Sequence, residues 1–220
     1  MSITITAFEK SPDGGQGLAR DTRVRWALEE AGQPYEVRQV SFKAMKQPAH
    51  LAVQPFGQIP TYEEDGLVLF ESGAIVQHIA ESSEALMPRD PAGRAKVAQW
   101  LFAALNSVEP HVSNLVGIDL FHADKDWAKA RRPEQEEFTR MKLASLARHL
   151  AGREWLEDRF TAADLMMVTV LSNLRHTDIV TGDPVLGPYL ARGEARLAFQ
   201  RALAAQLETF EANAPEMEPA

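Results

Sequence analysis

The spacing of apolar residues changes along the first 40 residues of the chain. Residues 3–8 alternate in the manner of a strand, whereas apolar positions within 24–31 recur every three or four residues, as on one face of a helix. Gly32 can end that helix, and residues 34–40 are typical of a second strand. The chain is therefore expected to open with a right-handed β-α-β unit whose two strands are parallel.

A hairpin and a further helix follow this unit. After a helix-like segment around residues 47–53, Asp65-Gly66 is typical of a tight hairpin turn, and residues 67–70 form its second strand. The next helix is expected over about residues 72–84. The order βαβ then ββα predicts an α/β, thioredoxin-like domain over residues 1–82.

Strand signals vanish from about Met87, so the second half is expected to be all-helical. A long helix with one apolar face passes through Pro110, which should bend it. Thr161 and Asp164 fit a capping box, with Asp in place of the usual Glu, and apolar neighbours fit a hydrophobic staple. The helix that follows is apolar on nearly all sides and should form the core of a helical domain over residues 89–220.

Composition narrows the classes of function to consider. With 220 residues, 45% of them hydrophobic, the chain can bury a sound core as one large domain or two small ones. A net charge of -8 disfavours nucleic-acid binding, which requires a basic face. The lack of cysteine excludes disulfides, thiolate metal sites and a cysteine nucleophile. The six histidines lack metal-ligand spacing, so no metal site is expected.

The amino terminus and the hydropathy of the chain bear on its location. Residues 1–5 lack the basic region and the long apolar stretch of an export signal. No apolar run approaches the ~18 residues that a membrane span requires. We therefore expect a cytoplasmic protein that does not bind membranes.

Two short motifs indicate a binding site for a peptide that carries a carboxylate. The first is Gln-Ile-Pro-Thr at 58–61, whose proline stands where a strand begins. If the Ile59–Pro60 bond is cis, the amide and carbonyl of Ile59 point outward and can pair with an extended peptide. The second is Glu71-Ser72, where the free amides and the hydroxyl of a helix start can bind a carboxylate. Either motif alone is also compatible with an ordinary strand edge or helix cap.

Residues 55–81, PFGQIPTYEEDGLVLFESGAIVQHIAE, resemble the glutathione-binding half of cytosolic glutathione S-transferases. The resemblance covers essentially the whole chain and includes the capped core helix of the second half. One departure is Leu197, which stands where many members have proline. The class within the family is open, with some similarity to the Nu and Phi classes. The resemblance implies that glutathione is the co-substrate and that the protein is a homodimer.

The resemblance also implies how the tripeptide is held. The Ile-Pro pair would contact the cysteinyl backbone, and the Glu-Ser pair would hold the γ-glutamyl end. A lysine in the sequence MKQP resembles one that meets the glycyl carboxylate in some classes, although a solvated surface lysine is equally compatible. The implied glutathione-binding residues are Lys46, Gln58, Ile59, Pro60, Glu71 and Ser72.

Conjugation requires that the glutathione thiol, with a pKa of about 8.5 in an ordinary cysteine, be converted to thiolate. Ala19 stands where the family often has its serine. The remaining catalytic candidates are Arg20, whose counterpart in some classes lies near the sulfur, and the hydroxyls of Thr22 and Ser11. The N-terminus of the first helix adds a positive field worth ~0.3–1 kcal/mol when exposed. Alternatively, Asp21 or Thr22 only caps the helix and Ser11 belongs to a turn.

A second substrate is expected in a cleft between the domains, lined by the long helix. Its candidate contacts are Asn106, Glu109, Pro110 and Ser113. The leading hypothesis is a glutathione transferase that conjugates a small electrophile. The alternatives are a Nu-like reductase of disulfides or peroxides, which the lack of cysteine and of the usual serine favours, and a non-catalytic binding module.

Overall fold

The computed structural model describes residues 2–10 and 17–213. Its sheet has four strands in the order β2-β1-β3-β4. β1 and β2 are parallel, whereas β1 with β3 and β3 with β4 are antiparallel. The strands are β1 (Ile3–Phe8), β2 (Tyr35–Val40), β3 (Thr61–Glu64) and β4 (Leu67–Phe70). The thioredoxin-like fold predicted from the sequence is confirmed.

Three α-helices alternate with these strands: α1 (Asp21–Ala31), α2 (Pro48–Leu51) and α3 (Ser72–Glu81). A 3₁₀ turn at Ala44–Lys46 precedes α2. Gly32 ends α1 in the left-handed conformation, with φ of 65°, as its place after the apolar stripe predicted. α3 stops at Glu81, a turn earlier than the apolar pattern indicated.

The hairpin between β3 and β4 turns at Asp65 and Gly66, as predicted. Both residues have positive φ, 47° and 86°, which is the geometry of a type I′ turn. β4 is one of the two edge strands, and the side chains of Leu67 and Val68 are 41% and 43% exposed. An exposed apolar edge is a surface on which proteins associate.

The second half of the chain is helical throughout its described elements. These are α4 (Pro91–Phe102), α5 (Glu109–Val116), α6 (Asp126–Leu150), α7 (Ala162–Ser172) and α8 (Leu186–Glu194). π-Helical segments follow α4 at Ala103–Val108 and α5 at Gly117–Phe121. Pro110 lies in the first turn of α5, where its missing N–H is tolerated, and the irregularity expected of it falls in the π-helical residues just before.

α7 is the core helix of this half, because every residue from Ala162 to Ser172 is buried. The predicted capping box is present: the Thr161 hydroxyl accepts the Ala163 N–H at 3.2 Å, and Asp164 accepts the Thr161 N–H at 3.0 Å. Asp164 also accepts the Leu156 N–H at 2.8 Å, so one buried carboxylate fixes both the helix start and the preceding loop.

The described chain divides into two compact units. Residues up to 79 and residues from 197 onward form one unit, and residues 80–196 form the other. The last helix, α9 (Leu197–Ala212), therefore belongs to the same unit as the sheet. The domain limits drawn from the sequence, 1–82 and 89–220, stay a prediction. No helix among the described residues is long and apolar enough to cross a membrane.

Burial of Asp164 has a consequence for stability. Desolvation raises the pKa of this carboxyl to about 6, against the opposing hydrogen bonds from Leu156, Thr161 and Tyr189. The folded state therefore holds the proton more tightly than the unfolded chain, whose aspartate pKa is about 3.9. The resulting stabilisation is fully present below about pH 4 and is lost as the pH rises through 6.

Replacing Asp164 by asparagine should remove this pH dependence. Lowering the pH from 7 to 5 is expected to raise the unfolding free energy of the wild type by about 1 kcal/mol relative to that of Asp164→Asn. The reason is that only the carboxyl takes up a proton. Urea denaturation of both proteins at the two pH values measures the difference. Asp158→Asn, an exposed change in the preceding loop, is the control and should show no such gain. If the unfolding free energy of the wild type fell relative to that of Asp164→Asn on acidification, the raised pKa of Asp164 would be contradicted.

Candidate functional site

The entry to β3 is fixed by a buried threonine pair. The bond between Ile59 and Pro60 is cis. The N–H of Thr61 donates to the Thr6 hydroxyl at 2.7 Å, and the two hydroxyls lie 3.0 Å apart, which ties the start of β3 to β1. Within residues 2–10 and 17–213, Ile59 makes no backbone hydrogen bond. The start of β3 is therefore held in place, while the Ile59 backbone has no backbone hydrogen bond among the described residues.

The backbone just before Ile59 is held by two side chains. The Lys46 ammonium donates to the Gly57 carbonyl at 3.0 Å, and the His50 ring lies 2.7 Å from the Gln58 carbonyl. Gly57 has φ of +60°, and a Cβ there would lie 3.0 Å from the Met45 carbonyl, so this position requires glycine. The Gln58 side chain itself is exposed. The sequence analysis did not single out His50.

The predicted helix start at Ser72 is confirmed. Glu71, just before α3, is exposed and has φ of 70°, a left-handed conformation that is uncommon for a residue other than glycine and is concentrated at functional sites. Its carbonyl accepts the Ile75 N–H at 3.0 Å. The Ser72 side chain is buried at 5% exposure. A helix N-terminus of this kind presents backbone N–H groups and a positive dipole to an anion.

Arg23 is a component of this site that the sequence analysis missed. Its Nη1 donates to the Ser72 hydroxyl at 3.2 Å, and its side chain is 3% exposed. A guanidinium can only donate, so the Ser72 oxygen must be the acceptor and the hydroxyl proton is directed to another group. The result is a hydroxyl donor backed by a buried positive charge at the start of α3, which is suited to binding a carboxylate.

The sequence-based candidates for thiol activation lie at the start of α1 in different environments. Arg20 is exposed and immediately precedes the helix. Thr22 is 1% exposed, and its hydroxyl has no hydrogen-bond partner within the described part of the chain. Ser11 lies outside the described residues. Ala19 directly precedes Arg20 and carries no hydroxyl.

The start of α1 contains one buried acidic residue, Asp21, and two buried arginines, Arg23 and Arg25. Asp21 is fully buried and accepts the Arg25 Nε–H at 2.8 Å. Burial raises the pKa of Asp21, while Arg25 and Gln206 oppose that shift. Asp21 is thus paired with Arg25, whereas Arg23 donates to Ser72 at the start of α3.

The candidate contacts for a second substrate lie in the unit formed by residues 80–196. Asn106, Pro110 and Ser113 are exposed, whereas Glu109 is buried at 8% exposure. Three of the four residues are thus accessible on their own unit. In the described ranges of the chain, no cluster of three or more His, Asp or Glu side chains could hold a metal ion.

Comparison with known proteins places these features in a family. The model of the glutathione S-transferase N-terminal domain matches residues 15–81. Maleylacetoacetate isomerase of Rhizobium meliloti is 32% identical over 82% of this chain and 89% of its own length. Glutathione S-transferase 3 of Zea mays is 33% identical over 83% and 88%. This chain therefore belongs to the glutathione S-transferase family, as its resemblance predicted.

Some relatives match over a shorter stretch. Glutathione S-transferase-like protein LUC7 of Fusarium is 40% identical over 129 residues, which are 54% of this chain and 56% of that relative. The higher identity is therefore confined to about half of each protein.

Solved structures extend the similarity to the fold. A glutathione transferase from Pseudomonas putida, with one glutathione disulfide bound per subunit, has a TM-score of 0.79 and 27% identity over 92% of this chain and 90% of its own. A family member from Pseudomonas fluorescens, with two glutathione molecules bound, has the same TM-score and 29% identity over 92% of each chain. Both similarities cover the thioredoxin-like and helical parts together.

Proposed function

We propose that this protein is a glutathione transferase that binds glutathione, stabilises its thiolate and conjugates it to a small electrophile in the cytoplasm. The observation that carries the proposal is the Arg23–Ser72 pair at the start of α3, which directs a hydroxyl donor to an anion. The glutathione-bound structures of similar proteins support the identity of that anion. Family membership alone leaves the reaction open, since one relative is an isomerase.

In this proposal the tripeptide lies along the site described above. The backbone of Ile59, beside Pro60, pairs with the cysteinyl residue of glutathione as a strand edge would. Glu71 accepts from the α-ammonium group of the γ-glutamyl residue, and Ser72 donates to its carboxylate. Lys46 and Gln58 lie beside this segment, and a second N–H of the Lys46 ammonium contacts the glycyl carboxylate while the first stays on Gly57.

The thiol is activated mainly by positive charge. Arg20 is exposed at the N-terminus of α1, whereas the Thr22 hydroxyl is enclosed, so Arg20 is the better placed to face a ligand. A pKa shift of one unit requires about 1.36 kcal/mol. A guanidinium together with a helix N-terminus, worth up to ~2 kcal/mol when partly buried, supplies that amount without a hydroxyl.

Reduction of disulfides is the second candidate reaction. The Pseudomonas structures hold glutathione disulfide or two glutathione molecules, which supports a site that accommodates both thiols of such a reaction. In that chemistry one glutathione thiolate attacks the disulfide, which forms a mixed disulfide and releases one thiol. A second glutathione thiolate then attacks the glutathione sulfur of the mixed disulfide, which forms glutathione disulfide and releases the other thiol. A protein that binds glutathione but performs neither reaction would instead be a binding module.

We further propose a homodimer. The exposed apolar side chains of β4 adjoin Phe56, whose ring lies 6.1 Å from that of Phe70 and is 64% exposed. This patch lies on an edge strand of the sheet, where burial against a second copy would remove apolar area from water. A two-fold axis through such a patch gives an isologous interface.

Ser72→Ala should weaken glutathione binding by roughly 1–3 kcal/mol, because the ligand carboxylate loses its hydroxyl donor. Isothermal titration calorimetry with glutathione measures the change. Ser145→Ala, an exposed position on α6 whose hydroxyl donates to the Met141 carbonyl and accepts from Arg148, is the control and should bind as the wild type does. An unchanged affinity in Ser72→Ala would place the γ-glutamyl end elsewhere.

Arg20→Met should raise the pKa of bound glutathione and lower turnover, because the positive charge facing the sulfur is lost. Thr22→Val and Ser11→Ala are expected to have little effect. Thiolate absorbance as a function of pH is followed in all three variants. A loss of about ten- to a hundredfold in rate on changing Thr22 or Ser11 would instead assign the donor to that hydroxyl.

The dimer is expected to persist at micromolar concentration, and light scattering measures its mass. Phe56→Lys should shift the equilibrium towards the monomer, since a charge would be buried in the apolar patch. Phe102→Lys, an equally exposed aromatic residue in the other unit, serves as the matched control. A monomeric wild type would remove the proposed interface.

A further inference from the structure

Gln206 in α9 connects the end of the chain to the segment that precedes α1. Its side-chain nitrogen donates to the Asp21 carboxylate at 2.7 Å and to the Ala19 carbonyl at 3.2 Å, and its oxygen accepts the Ala19 N–H at 3.2 Å. The residue is 0% exposed. Both donors and the acceptor of this amide are thus occupied by residues 19–21.

The pairing with Ala19 resembles that of two backbone peptide groups in a sheet. One amide accepts the N–H and donates to the C=O of the same residue, which fixes the orientation of the peptide units on both sides of Ala19. Because the Gln206 amide is inaccessible to solvent, breaking the contact would leave that amide without water or its protein partner. The backbone direction into Arg20 is therefore set by a side chain 187 residues beyond Ala19 in the chain.

α9 also covers this segment by close packing. Gly17 has φ of +80°, and a Cβ at this position would lie 2.8 Å from Leu203 of α9. The Trp26 ring of α1 meets Phe199 of α9 edge to face at 4.9 Å, and Arg201 binds Glu29 at 2.6 Å. The helix is thus held against α1 by contacts that are separate from Gln206.

We propose that Gln206 is a positioning residue that orients the Ala19–Asp21 segment for activation of the glutathione thiol. The inference rests on the proposed function. Since Ala19 has no hydroxyl, activation depends on where the Arg20 guanidinium and the start of α1 are directed, and Gln206 fixes both through the backbone of Ala19.

Gln206 has a second effect, on the charge of the same turn. The Asp21 carboxylate lies next to Arg20 in sequence and opposes formation of a nearby thiolate. Gln206 donates to one of its oxygens and Arg25 to the other, so the negative charge is held by two donors. Loss of Gln206 would leave that charge less compensated.

Its role differs from that of a residue that only attaches α9. The Arg201–Glu29 ion pair joins the same two helices but does not contact residues 19–21. Arg201→Met is therefore a matched control, because it removes a link between α9 and α1 and leaves the Ala19 backbone contact intact.

The test compares wild type, Gln206→Met and Arg201→Met. Glutathione affinity is measured by calorimetry, the pKa of the bound thiol by thiolate absorbance, and kcat and KM with chlorodinitrobenzene as the electrophile. In Gln206→Met the thiol pKa is expected to rise by about one unit and kcat at neutral pH to fall about tenfold, with a change in glutathione KM below about threefold. Arg201→Met should retain the wild-type thiol pKa and kcat.

The outcomes separate this inference from the proposed function. A wild type that neither binds glutathione nor lowers its thiol pKa contradicts the proposed function. With an active wild type, an unchanged thiol pKa in Gln206→Met, or an equal loss in Arg201→Met, overturns the positioning role of Gln206.

Two measurements keep the inference testable if Gln206→Met does not fold. Gln206→Glu has nearly the same size and still accepts from Ala19, but its ionised form cannot donate to Asp21, so the thiol pKa should again rise. Hydrogen exchange of the Ala19 amide in the wild type requires no variant. Strong protection is expected, and exchange as fast as in an exposed loop would refute the contact.

Discussion

Buried charge on α1 is the constraint on which the first unit depends. Asp21, Arg23 and Arg25 are all nearly inaccessible, and a buried ion is tolerated only where it is paired and hydrogen-bonded. Asp21 pairs with Arg25 and with Gln206, and Arg23 binds Ser72. The charged residues at the start of α1 thus bind both the start of α3, through Ser72, and the middle of α9, through Gln206.

This arrangement connects stability to chemistry. The groups that satisfy the buried charges are also the groups that border the candidate site, since Ser72 begins α3 and Gln206 holds the backbone before Arg20. Removing one partner would leave its counterpart buried and poorly compensated. The site is therefore organised in advance of any ligand, which lowers the reorganisation needed when a negative charge binds or develops there.

Features set by local geometry could be predicted from the sequence, and features set by distant contacts could not. The Asp65-Gly66 turn and the capping box at Thr161 depend on residues a few positions apart, and both are present. The apolar stripe of α1 indicated one buried face, but Arg23 is also buried, and its guanidinium donates to the Ser72 hydroxyl at the start of α3. Likewise, nothing in the sequence of α9 signals that Gln206 contacts Ala19, since a single glutamine in an amphipathic helix is typical of a solvated face.

The same distinction bears on how a family member can lack its usual serine. A hydroxyl acts on a thiolate through one directed hydrogen bond, so it requires only its own position to be correct. A positive field instead depends on the orientation of a whole segment and on the compensation of nearby negative charge. Here the residue in the serine position, Ala19, is fixed through its backbone, and the adjacent Asp21 is compensated by two donors. In the proposed mechanism the requirement moves from one side chain to the framework around it, and Gln206 contacts both the Ala19 backbone and the Asp21 carboxylate.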